Sequence, residues 1–222
     1  QILERAGYGR IETPTFEAVR ENRDAHPRAS WQHLFQTHMG PLLQSCGLII
    51  VTNITLYTVV TYIPTYLISA LTMDPSQGFM LSLGPQLFLI AMIPVMGALA
   101  DRITRKAAML AGSVAILVLA VPCFTLLSTG GYLAKFGALM VMNLCLAAML
   151  GSIFSAVPAL FATNVRFTGM AVSYNVSVAL FAGTAPMLNA WLIQRTGDTM
   201  MPAYYLMFGA AVGIVALLFS RD

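Results

Sequence analysis

Gly97-Ala98-Leu99-Ala100-Asp101-Arg102-Ile103-Thr104-Arg105-Lys106 is the stretch that decides the fold of this 222-residue chain. Four charges fall in six consecutive positions, and a long apolar run lies on each side. A water-soluble core does not place so dense a charged turn between two stretches of that length and apolarity. The pattern reads as a tight cytoplasmic hairpin joining two membrane spans.

Composition outward from this stretch agrees. The chain is 58% hydrophobic and 9% charged, where an average soluble domain carries about 25% charged residues. The formal charge of +3 is small, and no basic run is interleaved with aromatics, which excludes nucleic acid as a partner. The chain starts at Gln1 without a signal-peptide pattern, so a segment of a longer protein is expected. Cys46, Cys123 and Cys145 lie inside apolar runs and read as small apolar fillers rather than a disulfide framework.

A hydrocarbon layer about 30 Å thick is crossed by about 20 helical residues. Six runs qualify: 41–71, 77–100, 107–128, 132–161, 168–193 and 200–219. Helix is the one open structure that pairs every backbone polar group in lipid, so the fold class is an all-α membrane protein of six transmembrane helices. Charge or turn residues break the runs at Asp74-Pro75, Asp101 to Lys106, Ser128 to Gly131, Asn164-Val165-Arg166 and Arg195 to Asp198.

Placing the N-terminus in the cytoplasm puts Arg5, Arg10, Arg20, Arg23, Arg28, Arg102, Arg105, Lys106, Arg166 and Arg221 on the inner side. Only Lys135 and Arg195 then fall outside. That bias sets the orientation, with both chain ends cytoplasmic. Residues 1–38 form a separate arm holding five arginines, five acids and all three histidines. Its end, Ser30-Trp31-Gln32-His33-Leu34-Phe35, fits a short interfacial helix with Ser30 as cap. His26, His33 and His38 read as solvent-exposed or headgroup-level side chains, and no Cys/His spacing indicates a metal.

The pattern G-x-L-x-D-R-x-x-R-K at 97–106 resembles the signature loop of the major facilitator superfamily. Thr104 stands where that family usually has glycine. Glu12-Thr13-Pro14-Thr15-Phe16, Thr52 to Tyr57, Thr61 to Leu67, Pro158 to Phe161, Val165 to Gly169, Tyr174-Asn175 and Met201 to Met207 resemble the metabolite–proton symporter family, nearest its proline/glycine betaine carriers. The resemblance implies the C-terminal half, helices seven to twelve, of a twelve-helix transporter. Residues 1–38 are then the central loop, 39–222 the six-helix bundle, and the N-terminal six-helix half is the partner. It implies proton-coupled symport of a small zwitterionic osmolyte; relatives carrying 2-oxoglutarate, citrate or shikimate share much of the pattern. By resemblance, the loop residues Gly97, Asp101, Arg102, Arg105 and Lys106 act in conformational exchange.

Polar side chains inside lipid normally face a bundle interior or a wet cavity. On an uninterrupted helix Asn53, Tyr57 and Thr61 share one stripe of the first span, while Thr55, Tyr62 and Tyr66 share the opposite one. One stripe lines a cavity and the other meets a neighbouring helix. With Tyr174 and Asn175 these residues (Asn53, Tyr57, Thr61, Tyr62, Tyr66) are the candidate substrate-binding set. Ser173, Ser177 and Thr184 on span five read as packing groups. Spans three and six are smooth and apolar, as peripheral supports are.

No Asp, Glu, His, Arg or Lys lies well inside any span. Coupling carboxylates are therefore expected in the other half. A quaternary ammonium zwitterion can be held by tyrosine faces, with asparagine and hydroxyls beside its carboxylate, whereas a dicarboxylate calls for embedded Arg or Lys. The sequence calls for no cofactor and no catalytic residue: an intramembrane hydrolase pairs its nucleophile with an embedded histidine, and every histidine here is in the arm. A non-transporting membrane sensor of the same fold is the remaining alternative.

Overall fold

The computed structural model describes residues 39–162 and 165–219. Its regular structure is helical: α1 (Met39–Ser69), α2 (Pro75–Arg102), α3 (Arg105–Thr129), α4 (Tyr132–Ala159), α5 (Arg166–Thr196) and α6 (Met201–Leu218). Each is long and apolar enough to cross a membrane. The arm at 1–38, with its interfacial segment and histidines, lies outside the described residues, as do Asn164 and Arg221.

Helix ends depart from the apolar runs by at most three residues, because caps rather than hydropathy set them. Asp74 Oδ1 accepts from the backbone N–H of Ser76 at 3.0 Å and of Gln77 at 3.4 Å, with Pro75 in the first turn of α2. Thr104 opens α3 in the same way, its Oγ1 accepting from the Ala107 N–H at 3.1 Å. This accounts for threonine in place of glycine: the backbone there is extended (φ −170°), which any residue adopts, and the hydroxyl supplies a cap that glycine lacks. Gly197, at φ 72°, ends α5 in the left-handed conformation, its N–H donating to Ile193 O at 2.8 Å.

The charged hairpin is shorter than its sequence pattern. Asp101 and Arg102 form the last turn of α2, Arg105 and Lys106 the first turn of α3, and only 103–104 lie between. Gly97 lies inside α2, at its crossing with α4. There α2 and α4 approach so closely that a Cβ on Gly151 would sit 2.6 Å from the Gly97 nitrogen and 3.0 Å from Ile93 O.

Helix α4 packs extensively on α2 and α3, α6 on α3 and α1, and α1 also on α5 and α4. Helix α1 is the central element: 67% of its most apolar stretch is buried, against 22% for α2 and for α5. Helices α2 and α5 carry the most uncovered surface within this half. The core at the end opposite the charged hairpin holds Tyr66, Phe124, Leu67, Leu81 and Leu127, all fully buried. The Tyr66 and Phe124 rings meet edge to face at 5.3 Å.

Gly151→Ala is expected to destabilise the bundle by about 1–3 kcal/mol, the usual cost of forcing a group into a packed contact. Gly137→Ala, on the same helix with open space around it, should be neutral or stabilising by up to about 1 kcal/mol. Thermal unfolding in detergent compares the two.

Candidate functional site

A cleft of about 420 Å³ opens between α1, α4 and α5. Helix α1 contributes Ile49, Thr52, Asn53 and Leu56; α4 contributes Leu150, Ile153, Phe154, Val157 and Pro158; α5 contributes Phe167, Met170, Ala171, Tyr174 and Asn175. Every lining residue is apolar, aromatic, an amide or a hydroxyl. Among the described residues each charged side chain lies at a helix end or in a connection, from Asp74 to Asp198. The cleft therefore carries no formal charge of its own among the described residues.

Its polar groups are held rigidly. Asn53 Nδ2 donates to Ile49 O at 2.9 Å, and Thr52 Oγ1 to Leu48 O at 2.9 Å. Asn175 Nδ2 donates to Ala171 O at 2.7 Å. Each side chain is thus tied to the carbonyl four residues back on its own helix, which locks its rotamer before any ligand arrives. Both asparagines present an amide oxygen able to accept, and Tyr174, Phe154 and Phe167 present exposed aromatic surface.

Of the seven residues proposed from sequence, Asn53, Tyr174 and Asn175 come together in this cleft. Tyr57 is half-buried and Thr61 exposed; both belong to a π-helical turn, Tyr57–Tyr62, that interrupts α1. Neither lines the cleft. Tyr62 and Tyr66 are set apart from it altogether. Both are buried; Tyr66 donates from its hydroxyl to Thr199 O at 3.0 Å and packs on Phe124. The reason is that their stripe of α1 faces the neighbouring helices. Phe154 and Phe167 were missed because an exposed phenylalanine on an apolar helix has no pattern that separates cavity-facing from lipid-facing.

The charged hairpin touches the wall of the cleft. Arg105 Nη1 donates to Ser155 O of α4 at 3.3 Å, next in the chain to Phe154. Its Nε lies 3.9 Å from Asp101 Oδ1. Both side chains are about half exposed or more, so the ion pair itself contributes at most about 1 kcal/mol.

Residues 11–220 match the sugar (and other) transporter family. The chain belongs to this family of major facilitator transporters. It is 35% identical over 219 residues to the proline/betaine transporter of Salmonella typhimurium, covering 95% of this chain and 44% of that protein. It is 36% identical over 212 residues to the proline/betaine transporter of Escherichia coli, covering 92% and 42%. It is 37% identical over 219 residues to the glycine betaine/proline/ectoine/pipecolic acid transporter OusA of Dickeya dadantii, covering 95% and 44%. The chain thus spans less than half the length of these relatives. Its six apolar helices and the family make it a multi-pass membrane transporter domain, and the three-helix cleft is its candidate transport site.

With Cys46, Cys123 and Cys145 replaced in the full-length protein, Tyr174→Cys is expected to react with a small polar thiol reagent. Tyr66→Cys is expected to stay unlabelled on the same timescale, because its position is fully covered by this half alone.

Proposed function

We propose that this chain forms one half of a symporter that carries a small zwitterionic osmolyte, of the glycine betaine and proline class, with protons by alternating access across the bacterial inner membrane. The observation that carries the reading is the charge-free cleft walled by Asn53, Tyr174, Asn175 and two phenylalanines. A quaternary ammonium carries no N–H, so hydrogen bonding cannot hold it; the negative faces of aromatic rings can. A secondary ammonium, as in proline, additionally finds acceptors in the amide oxygens. A dicarboxylate, with net negative charge, calls for a fixed cation, and this cleft offers none among the described residues. The relatives in Salmonella typhimurium, Escherichia coli and Dickeya dadantii, named as transporters of proline and betaine, point to the same substrate class.

In this reading the proton-carrying group belongs to the other six-helix half, residues 1–38 form the connection between the halves, and the positive-inside bias places both ends of this chain in the cytoplasm. Tyr57 and Thr61 face the cavity completed by the other half. The hairpin acts on exchange between states, since Arg105 bonds the end of the helix that walls the cleft.

Tyr174→Ala in the intact protein is expected to raise KM for glycine betaine by about tenfold, matching a cation–π contact of about 0.5–2 kcal/mol, and Tyr174→Phe should do less. Uptake of labelled betaine with unlabelled competitors measures it. Inhibition by 2-oxoglutarate or citrate, with excess betaine without effect, would establish the carboxylate alternative. Asp101→Asn should lower the maximal rate with little change in KM, because Asp101 lies at a helix end away from the cleft. The reverse pattern in uptake kinetics contradicts the assignment.

A further inference from the structure

The π-helical turn of α1 is fastened from two other helices. In an α-helix the N–H of residue 64 would bond Val60 O, but position 64 is proline and has no N–H. That carbonyl is instead taken by Gln86 of α2, whose Nε2 donates to it at 3.0 Å. At the other end of the turn Thr58 O accepts from the N–H of Ile63, the five-residue bond that defines the π form. The Thr58 hydroxyl accepts from Asn189 Nδ2 of α5 at 3.2 Å, and both side chains are fully buried. Asn189 keeps its Oδ1 without a partner, so the amide sits there at a cost that an apolar side chain of the same size would not incur. The arrangement is reciprocal: the part of α5 that carries Asn189 packs on the π turn of α1, while the π segment of α5, Val178–Ala182, packs on the first part of α1.

We infer that Gln86 and Asn189 are positioning residues: they hold α1 in its π register at 57–62 and so set the direction of Tyr57 and Thr61 toward the substrate path. The π turn shifts the phase between the two parts of α1; Asn53, before it, lines the cleft, while Tyr62 and Tyr66, at and beyond its end, are buried in the core. If the turn relaxed to α geometry, the side chains within it would rotate relative to both anchored ends. The inference rests on the proposed function for its effect on transport and on the geometry alone for its effect on the helix.

Gln86→Leu and Asn189→Leu in the full-length protein test it with two readouts. In hydrogen–deuterium exchange, which needs no substrate, both are expected to speed exchange at residues 57–63 while the rest of α1 is unchanged. Pro64→Ala, which restores the N–H that can reach Val60 O, should abolish the effect of Gln86→Leu. In betaine uptake, both variants are expected to raise KM by about tenfold, the scale of one side-chain contact, with maximal rate and melting temperature kept. In a Tyr57→Ala background that rise should vanish, because the same contact is already lost. Unchanged exchange at 57–63 overturns the clamp, and a KM rise that adds in full to that of Tyr57→Ala overturns the positioning role. Should the intact protein take up neither betaine nor proline, the proposed function fails, while the exchange measurement still decides the clamp.

Discussion

Everything in this bundle follows from one constraint: within a hydrocarbon layer no backbone N–H or C=O can turn to water, so each must find a partner inside the protein. Six helices are the direct answer. The polar side chains obey the same rule. Thr52, Asn53, Thr55, Ser113 and Asn143 each bond the carbonyl four residues back, which satisfies a donor without demanding a neighbour. Pro64 is the place where the rule bites, since it leaves Val60 O without its intrahelical partner. The repair comes from Gln86 on another helix, and with it a local helix defect becomes a tertiary contact.

The same constraint organises the distribution of charge. Charged groups of the described residues sit at helix ends, where they cap, anchor and bridge. The cleft between α1, α4 and α5 is left with amides, hydroxyls and rings. Under the proposed function such a surface suits a net-neutral solute whose charges are internal: it costs little to desolvate when empty, and its asparagine amides are fixed before the solute arrives. Under the same proposal, a cleft without its own charge leaves proton coupling to the other six-helix half.

Helix approach is governed by side-chain size in the same economical way. Gly97 and Gly151 let α2 and α4 meet backbone to backbone, and the Arg105 contact to Ser155 fastens the neighbouring end of α4. In lipid, apolar burial does not drive helices together, so close packing of small residues and a few interhelical hydrogen bonds carry the association. The hairpin at 101–106 is thereby linked, through α4, to the wall of the cleft.

Hydropathy and charge placement alone determined the helical class, the six spans, the charged hairpin and the absence of ionisable groups from the membrane interior, because each of these is a property of residue type along the chain. Polarity and the family resemblance together proposed seven site residues, of which Asn53, Tyr174 and Asn175 line the cleft. Three things were decided only by the tertiary structure. Tyr62 and Tyr66 went to the core, since a stripe of polar aromatics looks the same in sequence whether it faces a cavity or a packed helix. Phe154 and Phe167 joined the cleft, since phenylalanine is equally at home against lipid and substrate. The π turns in α1 and α5 reset the helical phase. On an uninterrupted helix Asn175 and Asn189 would lie about 40° apart, yet one is exposed in the cleft and the other fully buried against Thr58. A uniform 100° step cannot foresee that change, because the π segment Val178–Ala182 lies between the two asparagines and Asn189 is held by Thr58, 131 positions away in the chain.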